Sequence, residues 1–164
     1  REQRRSSRMR VKVLVIGHTH EPYVKEGIAR YTKRLPHYCT FEYIELKDIA
    51  TKGLTPDIQK NKEGELILKQ LKTEDFLCLL DEKGKSFTSV NFSKHIEKKQ
   101  LAGTKSWVLV IGGAHGFSDE VYARANEQIR LSDMTFPHDL VRIILVEQLY
   151  RAFSIIRGEG YHHI

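Results

Sequence analysis

This chain of 164 residues contains only two cysteines, one tryptophan and four prolines. Cys39 and Cys78 lie far apart, without the spacing of a zinc site or a redox motif, so the sequence predicts reduced structural thiols and no disulfide framework. No apolar run approaches the roughly 18 residues that a membrane-spanning helix needs. No signal peptide is predicted, because neither an apolar segment nor a cleavage site follows the basic start. We therefore expect a cytoplasmic protein that does not bind membranes.

Most of the chain also has less net positive charge than the value of +6 for the whole sequence suggests. The first ten residues hold five arginines against Glu2, which leaves a net charge of about +2 for residues 11–164. RNA binding driven by phosphate charge alone should need a broad basic surface. We predict a single domain over residues 9–164. Residues 1–8 are interpreted as a disordered arm, an upstream misassigned start or a cloning remnant.

Short apolar strands alternate with helical segments along the chain. Strands are predicted at 11–16, 41–46, 76–80, 107–111 and 128–131, and helices at 21–35, 63–71, 91–101, 118–125 and 137–157. The polar stretch 48–62, with Gly53 and Pro56, is predicted to be a mobile loop. Continuous apolar strands that alternate with helices predict an α/β fold, in which a mostly parallel sheet carries helices on both faces.

Ligands of such sheets bind beyond the carboxyl ends of the strands, and glycines lie at several of those ends. The segment GGAHG (112–116) follows a predicted strand and precedes a helix. Its glycines allow either close approach to a nucleotide-like ligand or a tight turn with positive φ, and both interpretations stay open. The segment lacks the Lys-Ser/Thr of a phosphate loop and the G-x-G-x-x-G spacing of a dinucleotide site, which disfavours an NTPase.

The segment LSDMTFP (131–137) and the helix after it are unusually apolar. Met134 and Phe136 lie inside a loop-like segment, where they either pack into the core or surround an apolar ligand. The helix at 137–157 is apolar on nearly every side, which predicts burial on more than one side and a subunit interface. Within it, Glu147 and Arg151 are four residues apart and are predicted to pair, because an unpaired charge in apolar surroundings is costly.

The chain ends in a polar tail that contains Tyr161, His162 and His163. A phenol beside an imidazole suits binding of a base or proton transfer, and an exposed tail is the alternative. His18 and His20 form a second histidine pair, but no further ligands follow at zinc-like spacing. No metal site is predicted.

Three segments together resemble one known family: the opening VKVLVIG, the loop IGGAHGF and the long run LSDMTFPHDLVRIILVEQLYRAFSIIRGEGYHH. They are similar to the RlmH family of SPOUT-class RNA methyltransferases, in the same order and over about residues 9–163. The resemblance implies an α/β fold with a C-terminal trefoil knot and a homodimer. It also implies S-adenosyl-L-methionine as methyl donor, S-adenosyl-L-homocysteine as product, and N3 of a pseudouridine in a stem-loop of large-subunit (23S) ribosomal RNA as acceptor, methylated on the assembled ribosome.

The resemblance also assigns residues to two sites. The cofactor site would use Leu80, Gly112, Gly113, Leu131, Ser132, Asp133, Met134, Thr135 and Phe136. The catalytic, acceptor side would use Glu147, Arg151, Tyr161 and His162, with the tail reaching the cofactor of the partner subunit. We hypothesise that His162, or a water held by Glu147, accepts the N3 proton while Arg151 orients the base or a phosphate.

The chain departs from the family pattern in its tail and in its first loop. The family tail usually reads Pro-Tyr-His followed by Arg or Lys, whereas here Gly160 precedes Tyr161 and His163 ends the motif. His18 stands where the family often has lysine. Two other functions stay open: a non-catalytic ribosome- or RNA-binding module that keeps a knotted fold, and an α/β protein that binds another nucleotide through its glycine loop.

Overall fold

The computed structural model describes residues 8–163, in which strands and helices alternate. The strands are β1 (Arg10–Ile16), β2 (Thr40–Leu46), β3 (Phe76–Ser86), β4 (Ser106–Ile111) and β5 (Glu127–Arg130). The helices are α1 (Pro22–Arg34), α2 (Pro56–Lys69), α3 (Ser89–Leu101), α4 (Asp119–Arg124) and α5 (His138–Ile156). The prediction for residues 1–8 falls almost entirely outside the described residues. Arg8 is described, and its guanidinium donates to the Pro36 carbonyl at 2.6 Å.

The five strands form one sheet in the order β2-β1-β4-β3-β5, and every neighbouring pair is parallel. Three strands, β1, β4 and β3, have partners on both sides, and β4 lies at the centre of the sheet. In β4 every residue from Trp107 to Ile111 is buried, as expected for a strand covered on both faces. The predicted α/β class with a parallel sheet is confirmed.

Helices cover both faces of the sheet. On one face, α1, α3 and α5 pack against the sheet and share a core that includes Val24, Ile28, Ile96, Leu145 and Leu149. On the other face, α2 and α4 contribute Ile67 and Val121 to a second core. Helix α5, which carries the predicted site residues Glu147 and Arg151, lies on the first face with α1 and α3 packed against it.

A buried arginine fixes the start of α5 against the carboxyl end of β1. The Arg142 side chain is 1% exposed, and its guanidinium donates to the carbonyls of Ile16 at 2.7 Å and Gly17 at 2.9 Å. It also pairs with the Glu45 carboxylate at 3.3 Å. Because a buried charge is tolerated only when it is paired and hydrogen-bonded, these contacts hold α5 at the edge of the sheet where ligands bind.

Two sequence-based predictions need correction. The stretch 48–62 is not one loop, because α2 begins at Pro56. Thr55 caps that helix by accepting from the Ile58 N–H at 3.2 Å, and proline is well suited to a first helical position, so the residue that suggested a loop starts a helix.

The second correction concerns the segment 81–84, predicted to end a strand. Strand β3 continues through it to Ser86, with an irregularity in its pairing with β5 between Leu80 and Lys85. A Cβ on Gly84 would lie 2.5 Å from the Ile129 carbonyl carbon. Gly84 therefore serves close packing of two strands and does not form a turn.

Both cysteines are free and buried, as predicted. Among residues 8–163, no helix combines the length and the apolar character that crossing a membrane requires.

Candidate active site

A large cavity lies at the carboxyl ends of β4 and β5, beside the middle of β3. Its volume is about 960 Å³, and its walls come mainly from residues 80–83 of β3, the loop 112–117 after β4 and residues 131–136 after β5. All nine residues that the family resemblance assigns to the cofactor line it: Leu80, Gly112, Gly113, Leu131, Ser132, Asp133, Met134, Thr135 and Phe136. We call this cavity the cofactor pocket. Three strands that are distant in sequence bring these residues together.

The glycines of the loop after β4 serve two different purposes. Gly116 has a φ of +82°, in the left-handed region that favours glycine, and therefore forms the tight turn. Gly112 and Gly113 are needed for space: a Cβ on Gly112 would lie 2.8 Å from the Phe117 ring, and one on Gly113 would lie 2.5 Å from a Glu63 oxygen. The tight turn is therefore confirmed at Gly116, whereas close approach of Gly112 and Gly113 to a ligand stays a prediction.

The loop after β5 presents apolar side chains to the cavity. Met134 is 78% exposed, which excludes packing into the core as the reason for its presence. Its backbone N–H donates to the Ser132 hydroxyl at 2.9 Å, and Asp133 pairs with Arg130 at 3.0 Å. The loop is thus held by its own short contacts, with a methionine side chain free to contact a ligand.

Three residues that the sequence did not single out also shape the pocket. Asp81 accepts from the Lys83 N–H at 2.8 Å and from the Tyr122 hydroxyl, and burial together with that hydrogen bond raises the pKa of Tyr122 to about 12. Glu63 lies buried beneath Gly113, and this burial raises the pKa of its carboxyl group. For Asp81 the sequence offered one indication of a site, its position directly after the apolar strand predicted at 76–80. For Glu63 the sequence offered none.

The second group of predicted residues lies on α5 and the tail. Two nitrogens of the Arg151 guanidinium donate to one Glu147 oxygen, at 2.6 and 2.9 Å, so the predicted pairing is confirmed. The Tyr161 hydroxyl donates to the same oxygen at 3.1 Å, and the third Arg151 nitrogen lies 3.0 Å from His162 Nδ1. The structure brings all four predicted residues together. We call Glu147, Arg151, Tyr161 and His162 the acceptor cluster.

The hydrogen bonds of this cluster determine the state of each group. Burial, followed by the hydrogen bond with Tyr31 and the charge of Glu147, raises the pKa of Tyr161, so its phenol stays protonated at neutral pH. The hydrogen bonds that Arg151 donates to Glu147 raise the pKa of Arg151. Because arginine only donates, His162 Nδ1 must accept, which leaves the proton of a neutral imidazole on Nε2. His162 can take up another proton only after Nδ1 separates from Arg151.

The cofactor pocket and the acceptor cluster do not meet within one chain. None of the four cluster residues lines the pocket, whereas His138 and Val141, in the first turn of α5, do. Along a helix that rises 1.5 Å per residue, Glu147 lies roughly 9 Å and Arg151 roughly 15 Å beyond Val141. The described part of the chain thus carries two half-sites at different positions along α5.

The histidine pairs do not gather into a metal site. Among residues 8–163, no group of three or more His, Cys, Asp or Glu side chains is placed to hold a metal ion. The His18 backbone N–H lies 3.5 Å from Asp48, and the His20 N–H donates to Asp139 at 2.8 Å, so both residues secure the first loop through their backbone.

Comparison with known proteins identifies the family. A family model described as "Predicted SPOUT methyltransferase" matches residues 9–162. The ribosomal RNA large subunit methyltransferase H of Cytophaga hutchinsonii is 50% identical over 155 residues, which are 94% of this chain and 100% of that protein. The proteins of the same name from Parabacteroides distasonis and Flavobacterium johnsoniae are 50% and 47% identical over 94% of this chain and 99% of theirs. The chain therefore belongs to the SPOUT methyltransferase family, among the ribosomal RNA large subunit methyltransferase H proteins.

Proposed function

We propose that this protein methylates ribosomal RNA of the large subunit with S-adenosyl-L-methionine, at N3 of a pseudouridine in a 23S stem-loop. The observation that carries the proposal is the pocket at the ends of β4 and β5, which is lined by all nine residues expected from the family resemblance. Near-complete coverage of relatives named as ribosomal RNA large subunit methyltransferases supports the same reaction.

The residues of the pocket fit this cofactor. Leu80, Met134 and Phe136 offer apolar walls, and the loops after β4 and β5 offer backbone N–H and C=O groups for an adenine and a ribose. Four carboxylates line the cavity against three permanent cations, and burial followed by the charge of Arg142 lowers the pKa of His138, which keeps that imidazole neutral. This charge distribution suits a cationic ligand. When bound, S-adenosyl-L-methionine would supply a methyl group already activated by its sulfonium.

The acceptor cluster supplies the remaining chemistry. Transfer of a methyl group to N3 requires loss of the N3 proton, and alignment of N3 with the methyl group. Tyr161 stays protonated and can therefore form hydrogen bonds to a ligand but cannot act as the base. His162 Nδ1 becomes available as a base when Arg151 turns toward the RNA, and Glu147 can hold a water for the same purpose. We assign proton removal to His162 or to that water, and orientation of the base or a phosphate to Arg151.

The active enzyme is proposed to be a homodimer in which each pocket is completed by the partner's tail. The separation of the two half-sites along α5 supports this arrangement. A second support is the half-buried apolar surface of the same helix, formed by Leu140, Ile143, Ile144 and Ile155. Residues 9–164 are proposed to form one methyltransferase domain in the cytoplasm, where ribosomes are. Family membership further supports a C-terminal trefoil knot, a topology that is rare in general.

Calorimetry with S-adenosyl-L-homocysteine separates this function from its main alternative, a knotted module that binds ribosomes without catalysis. We expect binding, and Met134→Ala should weaken it because Met134 supplies an exposed apolar wall. A folded protein that binds ribosomes but not S-adenosyl-L-homocysteine would favour the module.

A methyl-transfer assay tests the substrate. Because the body of the protein has little net charge, we expect efficient methylation of assembled ribosomes that lack the modification and weak methylation of isolated 23S RNA. Equal rates on both substrates would contradict action on the assembled ribosome.

A further inference from the structure

Helix α1 has a larger net positive charge than any other helix or strand of the folded body. Helix α1 carries Lys25, Arg30, Lys33 and Arg34 against Glu26, a net charge of +3. Residues 11–164 as a whole carry about +2, so the rest of that segment has a net charge of about −1. The small net charge of residues 11–164 thus conceals a concentration of basic side chains on α1.

The four cations of α1 are exposed and lack acidic partners. All four side chains are exposed, and none forms an ion pair with a carboxylate among residues 8–163. Helix α3, whose net charge is +2, also carries two exposed lysines, Lys94 and Lys98, but its Lys99 is buried and pairs with Glu127 at 3.2 Å. Favourable interaction with the helix dipole can account for Lys33 and Arg34 in the last turn of α1. It does not account for Lys25 and Arg30, which lie earlier.

This basic surface borders the acceptor cluster. The Tyr31 hydroxyl of α1 lies 3.3 Å from the Tyr161 hydroxyl. The Arg34 guanidinium lies 5.6 Å from the ring centre of Tyr150, and the Tyr150 ring packs edge-on against Tyr161 at 4.8 Å. The Tyr150 ring therefore connects Arg34, at the end of α1, to Tyr161 of the tail.

Arg157 extends the same surface beyond the end of α5. It is exposed, its guanidinium lies 4.9 Å from the ring centre of Tyr38, and it donates to the His37 carbonyl at 2.9 Å. Guanidinium groups held against tyrosine rings have already lost part of their rotational freedom, so less is lost when they bind a phosphate.

We propose that Lys25, Arg30, Lys33, Arg34 and Arg157 form the surface that holds the RNA backbone next to the target nucleotide. We call these residues the α1 basic surface. The proposal rests on the function proposed above and adds where the substrate binds. Exposed cations without acidic partners are what phosphate groups require, and their position beside Tyr161 would place the bound strand at the acceptor cluster.

The test compares two triple variants that each remove three exposed positive charges. One is Arg30→Gln, Lys33→Gln and Arg34→Gln on α1. The matched control is Lys94→Gln, Lys98→Gln and Lys105→Gln, on and just after α3, which also packs against α5. Binding to purified bacterial ribosomes is measured by sedimentation over a range of salt concentrations, together with calorimetry of S-adenosyl-L-homocysteine.

We expect the α1 variant to bind ribosomes roughly tenfold or more weakly, with the slope of log affinity against log salt reduced by about 2 to 3. The control should keep its affinity within about twofold, and both variants should bind S-adenosyl-L-homocysteine like the wild type. The single change Arg30→Gln, which disturbs folding least, should reduce the slope by about 1.

Several outcomes would overturn the proposal. One is an unchanged slope for the α1 variant, and another is an equal loss for both variants, which would indicate a general charge effect. Dissociation of the α1 variant into monomers in light scattering would instead make this helix an interface between two copies. If the wild type binds ribosomes with the expected difference between variants but transfers no methyl group, the proposed function fails while the surface stands.

Discussion

The cofactor pocket and the acceptor cluster differ in how their polar groups are hydrogen-bonded. The pocket is formed by loops near the start of α5, and the cluster lies along the second half of that helix and in the tail. In the cofactor pocket, backbone groups and exposed apolar side chains face an open cavity of about 960 Å³. In the acceptor cluster, Glu147 accepts from Arg151, Tyr161 and Gln148, and Arg151 also contacts His162. The pocket is prepared for a ligand, whereas the cluster is closed on itself. If the cluster binds the acceptor base as proposed, binding of RNA must rearrange it, while binding of the cofactor needs little change of the pocket.

The largest expected effect comes from the cluster. His162→Ala and Glu147→Gln should each lower kcat by roughly 10²- to 10⁴-fold, the usual contribution of a positioned acid or base, because N3 must lose a proton. Single-turnover methyl transfer on ribosomes measures the effect. Affinity for S-adenosyl-L-homocysteine, measured by calorimetry, should change far less than kcat, since neither residue lines the pocket of its own subunit. His163→Ala, which alters the exposed neighbour of His162, is the control. Unchanged turnover in both variants would refute the assignment.

The next effect comes from the pocket. Gly113→Ala should weaken binding of S-adenosyl-L-homocysteine by about tenfold, because the new methyl group would lie 2.5 Å from a Glu63 oxygen, and either that carboxylate or the loop that lines the pocket must shift. Gly160→Ala is the matched control, since a Cβ there meets no atom within 4 Å. Calorimetry distinguishes the two. Equal affinities would mean that the loop after β4 does not need its glycine for binding.

How far the sequence could predict these two regions depends on the range of the interactions. Glu147 and Arg151 pair because they are four residues apart on one helix, a local relation that the sequence displays directly. The nine pocket residues could be predicted because the predicted strand ends and the family resemblance indicated the same loops. Glu63 was not, since its place beneath Gly113 results from packing of α2 against a distant loop. The start of α2 was missed because Pro56 suits both a loop and a first helical turn.

The α1 basic surface was missed for a different reason. The net charge of residues 11–164 averages over acidic and basic elements, and only the exposure of each side chain shows which charges are free. Averaging therefore suggested a protein with little basic surface, whereas Lys25, Arg30, Lys33 and Arg34 form one without acidic partners.

The smallest expected effect concerns pH. Burial raises the pKa of Glu63 in the folded protein, so the folded state favours the protonated carboxyl group. Its contribution to stability is fully present below the ordinary carboxyl pKa and is lost as pH rises through the raised value. Glu63→Gln should therefore increase the free energy of unfolding at neutral pH and leave it nearly unchanged in acid. Glu65→Gln, on the exposed side of α2, should do neither. Urea unfolding at both pH values provides the measurement, and a loss of stability in Glu63→Gln at neutral pH would contradict the prediction.

The central claim is that the pocket of one subunit works with the acceptor cluster of the other. Heterodimers purified through two different affinity tags test it directly. One subunit carries Gly113→Val, which blocks the pocket, and the other carries Glu147→Gln and His162→Ala. If the site forms across subunits, this heterodimer retains one working site of two and about half of the wild-type activity. A heterodimer with all three changes in one subunit should then be inactive. The reverse result, an inactive first heterodimer and a half-active second one, would show that each subunit uses its own cluster.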